Sequence, residues 1–125
     1  MAKAMLVVLS NPVSPQVEDE YNDWYNNVHL KDIVAVEGFV AAQRFKIVET
    51  EATAEAPKPA QRYIALYELD TDDIEGAAKR LTEFAMADDG RMEMSAAFDA
   101  DSSLAFYVQP IGARVTADTP AGTAS

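Results

Sequence analysis

One histidine stands in this chain of 125 residues, His29, and Asp32 follows it by three positions, just after a stretch that carries Tyr21, Trp24 and Tyr25. An imidazole titrates near neutral pH, and a carboxylate beside it fixes its tautomer and raises its basicity, so the pair is a candidate acid–base centre. On a helix turning by about 100° per residue, Tyr21, Trp24, Tyr25 and Val28 point one way and Asp32 projects among them. His29 then lies on the flank, roughly 60° from Asp32, and a spacing of three residues lets the two side chains meet. A carboxylate in an aromatic stripe costs several kcal/mol to bury unless it is hydrogen-bonded, paired or protonated, and a pocket with a polar ligand or with His29 would satisfy it. The structural alternative stays open: Asp32 bonds a backbone group or Arg44, His29 is a satisfied half-buried side chain, and the rings pack on a sheet. Arg44, Tyr63, Tyr67 and Tyr107 fall on strands, where each either lines a cavity or sits in an interface. Met92, Met94 and Phe98 read as packing.

The remaining composition removes several chemistries. A lone histidine and no cysteine leave no transition-metal motif, disulfide or thiolate nucleophile, and five glycines form no phosphate-cradling loop, so no metal and no cofactor is expected. The net charge of −11 repels phosphate backbones and anionic lipid surfaces, which argues against nucleic-acid and membrane partners. The apolar run Met5 to Leu9 is too short for a signal-peptide core or a membrane span, and a cytoplasmic location is expected.

The elements that must position these residues follow in order. Met5 to Leu9, ended by Ser10-Asn11-Pro12, is an aliphatic run suited to a buried strand. Ser14 caps Pro15, and Glu18-Asp19-Glu20 places carboxylates where the helix dipole favours them, so a helix is expected from about 15 to about 35. After Gly38, residues 39–48 alternate as a strand with Phe39, Ala41, Phe45 and Ile47 on one side and Arg44 and Lys46 on the other. Residues 49–60, with Pro57 and Pro59, are an exposed hairpin-like loop. A third strand runs from Arg62 to Leu69, and Thr71-Asp72-Asp73 opens a second helix with Ile74, Ala77, Ala78, Leu81, Phe84 and Ala85 in phase and Gly90 past its end. Leu104 to Val108 is a fourth strand, stopped by Pro110.

The order β-α-β-β-α-β makes the fold class α+β: a ferredoxin-like four-stranded antiparallel sheet with both helices on one face. Residues 1–115 form the single domain and 116–125 a flexible tail. One sheet face is left bare. Val7, Tyr63, Tyr67 and Phe106, or their alternating neighbours, must occupy it, and a homodimer with the sheets face to face would cover it.

The motif Glu18-Asp19-Glu20-Tyr21-Asn22-x-Trp24-Tyr25, leading to His29-x-x-Asp32 and then Gly38-Phe39-x-x-Ala42-x-Arg44-Phe45, with Asn11-Pro12 ending the first strand, resembles the EthD-like branch of the dimeric α+β barrel superfamily. That resemblance covers roughly residues 5 to 110. It implies a homodimer with a pocket between each sheet and its own helices, and cofactor-free chemistry on hydrophobic or aromatic compounds. The helical histidine of the group maps onto His29 and its following acid onto Asp32. Relatives with further pocket histidines have no counterpart here. The expected function is a cofactor-independent acid–base enzyme, a lyase, isomerase or cyclase, acting on a small hydrophobic or aromatic compound. His29 and Asp32 would be catalytic, and Tyr21, Trp24, Tyr25, Arg44, Tyr63 and Tyr67 would bind the substrate. The competing readings are a non-catalytic binding or accessory protein for a hydrophobic metabolite and a cofactor-free monooxygenase.

Overall fold

The computed structural model describes residues 3–87, 89 and 92–118. Four strands, β1 (Ala4–Ser10), β2 (Phe39–Lys46), β3 (Tyr63–Leu69) and β4 (Leu104–Val108), form one antiparallel sheet in the order β2-β3-β1-β4. Two helical stretches cover one face, as expected of the ferredoxin-like α+β class. The first is a continuous rod: a 3-10 turn (Pro15–Val17), α1 (Glu18–Trp24), a π-helical turn (Tyr25–His29) and α2 (Leu30–Val34). The second is α3 (Ile74–Met86), where the Asp73 side chain accepts from Gly76 N at 2.9 Å as an N-cap. Gly90 and the tail from 119 to 125 lie outside the described residues.

Alternation along β3 decides what faces the helices. Tyr63, Ala65, Tyr67 and Leu69 are buried, and their partners across β1, namely Ser10, Val8, Leu6 and Ala4, share that face. Tyr21, Tyr25, Ile33 and Ala77 close the core from the helix side. Of the residues considered for the bare face, Val7 and Phe106 are there, paired with each other, whereas Tyr63 and Tyr67 point under the helices. The open face carries Met5, Val7, Leu9, Ile64 and Leu66 beside Phe45, Leu104, Phe106 and Val108, and the last four are 43, 52, 46 and 39% exposed.

Two register shifts depart from the regular pattern. In β2 the pairing slips between Phe39 and Ala41, leaving Val40 as an extra, exposed residue. A bulge of one residue reverses the alternation beyond it. Ala42 and Arg44 therefore share the helix-covered face with Phe39, and Phe45 turns to the open face, the reverse of the strict alternation expected from sequence. Gly38 starts this strand at φ 100°, and a Cβ there would stand 3.3 Å from both Ala77 Cβ and Arg80 Nη2, so the tight entry to β2 requires glycine.

The second shift is in the first helix, where Leu30 N–H bonds the Tyr25 carbonyl five residues back. The added residue brings positions five apart, not four, into line, a geometry found mostly as single turns within α-helices and frequently at functional sites. Val28, expected in the aromatic stripe, is 43% exposed, and His29, expected on the flank, is buried.

Candidate functional site

The π-helical turn sets His29 over Trp24, with ring centroids 4.6 Å apart and planes at 25°, and puts Tyr25 edge-on to the imidazole at 5.1 Å and 84°. The side chain keeps 8% of its exposure, and Nδ1 is buried without a hydrogen-bond partner. Burial disfavours the imidazolium and lowers the pKa of His29 to about 4, so the ring is neutral at physiological pH.

The pairing of His29 with Asp32 is not formed. Among the described residues no hydrogen bond or ion pair joins them; the Asp32 carboxyl is half-buried, and its pKa is raised by burial and by the nearby charge of Glu93. The reason lies in the π turn, which rotates His29 towards Trp24 and Tyr25 before the α-helical path resumes at Leu30. Trp24 itself is anchored by its indole N–H, which donates to the Glu93 carbonyl at 3.0 Å.

The bulge in β2 brings Arg44 to the other side of the same cluster. Its guanidinium carbon lies 4.3 Å from the ring centroid of Tyr25, 5.1 Å from that of Tyr63 and 5.2 Å from that of Tyr21. Such ring faces attract a cation electrostatically, by as much as ~2 kcal/mol when water is excluded. Arg44 Nη1 donates to Asn26 Oδ1 at 3.0 Å, while Nε and Nη2 are buried without partners. Among the described residues no carboxylate is within ion-pair distance of it.

Hydroxyl anchors hold the rings in place. Tyr21 and Ser10 share a hydrogen bond of 2.5 Å, and Tyr63 donates to Glu18 while accepting from Asn22 Nδ2 at 3.4 Å. The bond from Tyr63, and then the charge of Arg62, hold the Glu18 carboxyl below its ordinary pKa against the opposing effect of burial. Burial raises the pKa of Tyr21, Tyr25 and Tyr67, so all three phenols stay protonated at neutral pH, and the Tyr67 hydroxyl is buried beside that of Tyr25.

Of the residues expected from sequence, the structure thus gathers His29, Trp24, Tyr25, Tyr21, Arg44, Tyr63 and Tyr67, and leaves Asp32 beside Glu93. Tyr107 is half-buried on the edge strand β4, with the charge of Glu75 on α3 nearby. Sequence reasoning gave no site role to Ser10, Asn22 and Asn26, and read Phe98 as packing, which its ring contacts agree with. Parity along β1 would have placed Ser10 inward beside Leu6 and Val8, and the spacing of four from Asn22 to Asn26 put both amides on the side of the helix that meets β2. Phe98 touches the rings of Tyr21, Trp24 and Tyr25 at centroid distances of 6.5, 5.9 and 6.1 Å, and is tied to Pro12 by an isolated bridge that the sequence does not signal. Beside this cluster an open groove of about 390 Å³ is lined by Asn22, Asn26, Arg44, Phe45, Lys46 and Tyr63. Among the described residues no group of three or more His, Asp or Glu side chains is arranged to hold a metal ion, and no helix is long and apolar enough to cross a membrane.

The sheet order with both helices on one face defines a ferredoxin-like α+β protein. The chain belongs to the family described as "Domain of unknown function (DUF4286)", whose model matches residues 7–108. No curated protein matches it. Among solved structures, a protein of the ethyl tert-butyl ether degradation (EthD) family from Bacillus halodurans C-125 is similar over 89% of this chain and 100% of its own, at 12% identity and a TM-score of 0.46.

The buried imidazole makes a prediction about stability. The folded chain binds the His29 proton only near pH 4, whereas the unfolded chain binds it near 6.5. Between those values the unfolded state holds the extra proton, so this contribution is intact above pH 6.5 and is lost progressively as pH falls to about 4, by roughly 3 kcal/mol at most. Thermal melts from pH 7 to pH 4 should show the loss, and His29→Phe, which keeps a ring on Trp24 but cannot titrate, should be flatter over the same interval.

Proposed function

We propose that this chain is a cofactor-independent acid–base enzyme, a lyase, isomerase or cyclase in type, acting on a small aromatic or hydrophobic compound bound at the tyrosine cluster. The observation that carries the reading is His29: a neutral, desolvated imidazole on a π-helical turn with Nδ1 unanswered. In the step we assign to it, His29 removes a proton from a carbon next to a carbonyl. The C–H bond breaks, an N–H bond forms, and the electron pair moves onto the carbonyl oxygen as an enolate. A protonated phenol of the cluster would donate to that oxygen, and return of the proton to another carbon, or departure of a leaving group, completes an isomerisation or elimination. Because burial opposes the imidazolium this forms, the base suits carbon acids that are already activated, for which one positioned base contributes about 10²–10⁴-fold.

The test is deuterium exchange at the acidic carbon of benzoylacetone in heavy water. The chain should accelerate exchange about 10²–10⁴-fold over buffer, and His29→Gln should lose the acceleration while melting within a few degrees of the parent. Equal rates in the two proteins would remove His29 from the chemistry. Saturable binding without exchange would support a second reading, a non-catalytic binding protein, which is favoured by the way Phe98 and the tyrosine rings fill the space around His29 while the groove opens beside Arg44.

The reading includes a homodimer. Nine apolar side chains on the open sheet face are exposed or half-exposed among the described residues, and a second copy related by a two-fold axis would bury them against their own equivalents. Light scattering at micromolar concentration should give twice the chain mass, and Phe106→Glu should shift it towards the monomer. A parent chain that stays monomeric would refute the pairing.

A further inference from the structure

We infer that the groove beside Arg44 is a subsite for a small organic anion, an aromatic carboxylate that also carries a hydroxyl group. The inference rests on the proposal that a small compound binds at the tyrosine cluster, and it supplies the chemical class. Arg44 commits Nη1 to Asn26 and leaves Nε and Nη2 without partners. Those two N–H groups share one edge of the planar guanidinium and run parallel, the arrangement that meets both oxygens of a carboxylate. Leaving two charged donors unanswered in a desolvated place is costly, and a carboxylate relieves both at once.

The lining points the same way. In a chain with 21 Asp and Glu against ten Lys and Arg, the groove lining itself carries Arg44 and Lys46 and no acid, the nearby Glu18 carboxylate being engaged by the Tyr63 hydroxyl. Phe45 and Tyr63 offer ring surface for an aromatic body, and Asn22 Oδ1, buried without a donor, would accept from a hydroxyl on the ligand. Arg44 Nε and Nη2 are closed to solvent among the tyrosine rings, so binding requires a ring or the exposed Asn26 side chain, tethered to Nη1, to move aside and let the guanidinium turn that edge to the groove.

The probe is para-hydroxybenzoate, compared with its neutral analogue para-hydroxybenzamide, and binding is followed by calorimetry and by amide shifts in NMR. Saturable binding of one acid per chain is expected, weakened about tenfold or more in the amide and in Arg44→Lys, where the parallel donors are lost. Lys46→Gln, at an exposed edge position, should weaken the acid by a smaller factor and leave the fold intact. Equal binding of acid and amide by the unaltered chain, or no saturation by the acid up to about 10 mM, would overturn the inference without relying on any variant. The outcome is separable from the acid–base proposal. Acid binding that survives His29→Gln, with no exchange on benzoylacetone, leaves the anion site standing and removes the catalyst; exchange on benzoylacetone with no acid binding does the reverse.

Discussion

A guanidinium held against three tyrosine rings, with no carboxylate among the described residues to neutralise it, is the constraint around which this fold is arranged. Removing Arg44 from water is expensive, and the compensation here is diffuse: the faces of Tyr21, Tyr25 and Tyr63 and one amide oxygen from Asn26. Each ring must present its face and not its edge, so their orientations matter. The Ser10 and Glu18 hydrogen bonds fix the outer ends of Tyr21 and Tyr63, and the helix fixes Tyr25 by complete burial. The acidic opening of the helix thereby acquires a second role. Glu18 favours the helix dipole, and it also holds a ring against the buried cation.

Two one-residue insertions make this possible, and both act on Tyr25. The bulge at Val40 turns Arg44 onto one side of that ring, and the π turn brings His29 to it at a right angle. A cation and a neutral base thus share one aromatic neighbour without touching each other or a carboxylate. The cluster therefore combines protonated phenols, a fixed cation and an uncharged base, a set suited to stabilising an oxyanion while a proton is moved.

Much of the framework was legible in the chain. The aliphatic run of β1, the helix start at Pro15, the acidic opening of α3 and the order of elements are local signals, and local physics forms them, although the Ser14 side chain makes no cap bond while that of Asp73 does. The two insertions were not legible, for a specific reason. Phe39-Val40-Ala41-Ala42 is apolar in either register, so nothing in the alternation marks Val40 as the extra residue until β3 supplies the pairing. Likewise a helical wheel assumes a constant angle per residue, and one π turn rotates everything after Trp24; this is why Val28 and His29 exchanged places and why the expected contact of His29 with Asp32 is absent. The aromatic and charged residues of the candidate site were recognisable by type, but their partners depend on those shifts.

The measurement closest to the central claim is the side-chain NMR spectrum of the five arginines. Protons above an aromatic ring are shielded by its circulating electrons, so Arg44 Hε and Hδ, held among three rings, should resonate well upfield, further than those of Arg62, which meets only the Tyr63 ring at 5.7 Å, and the Arg44 Hε should exchange slowly with water. Arg44→Lys should delete that signal and leave the rest in place. Five arginines with ordinary shifts and fast exchange would mean that the β2 alternation is regular, that Arg44 faces water, and that no caged cation organises the site.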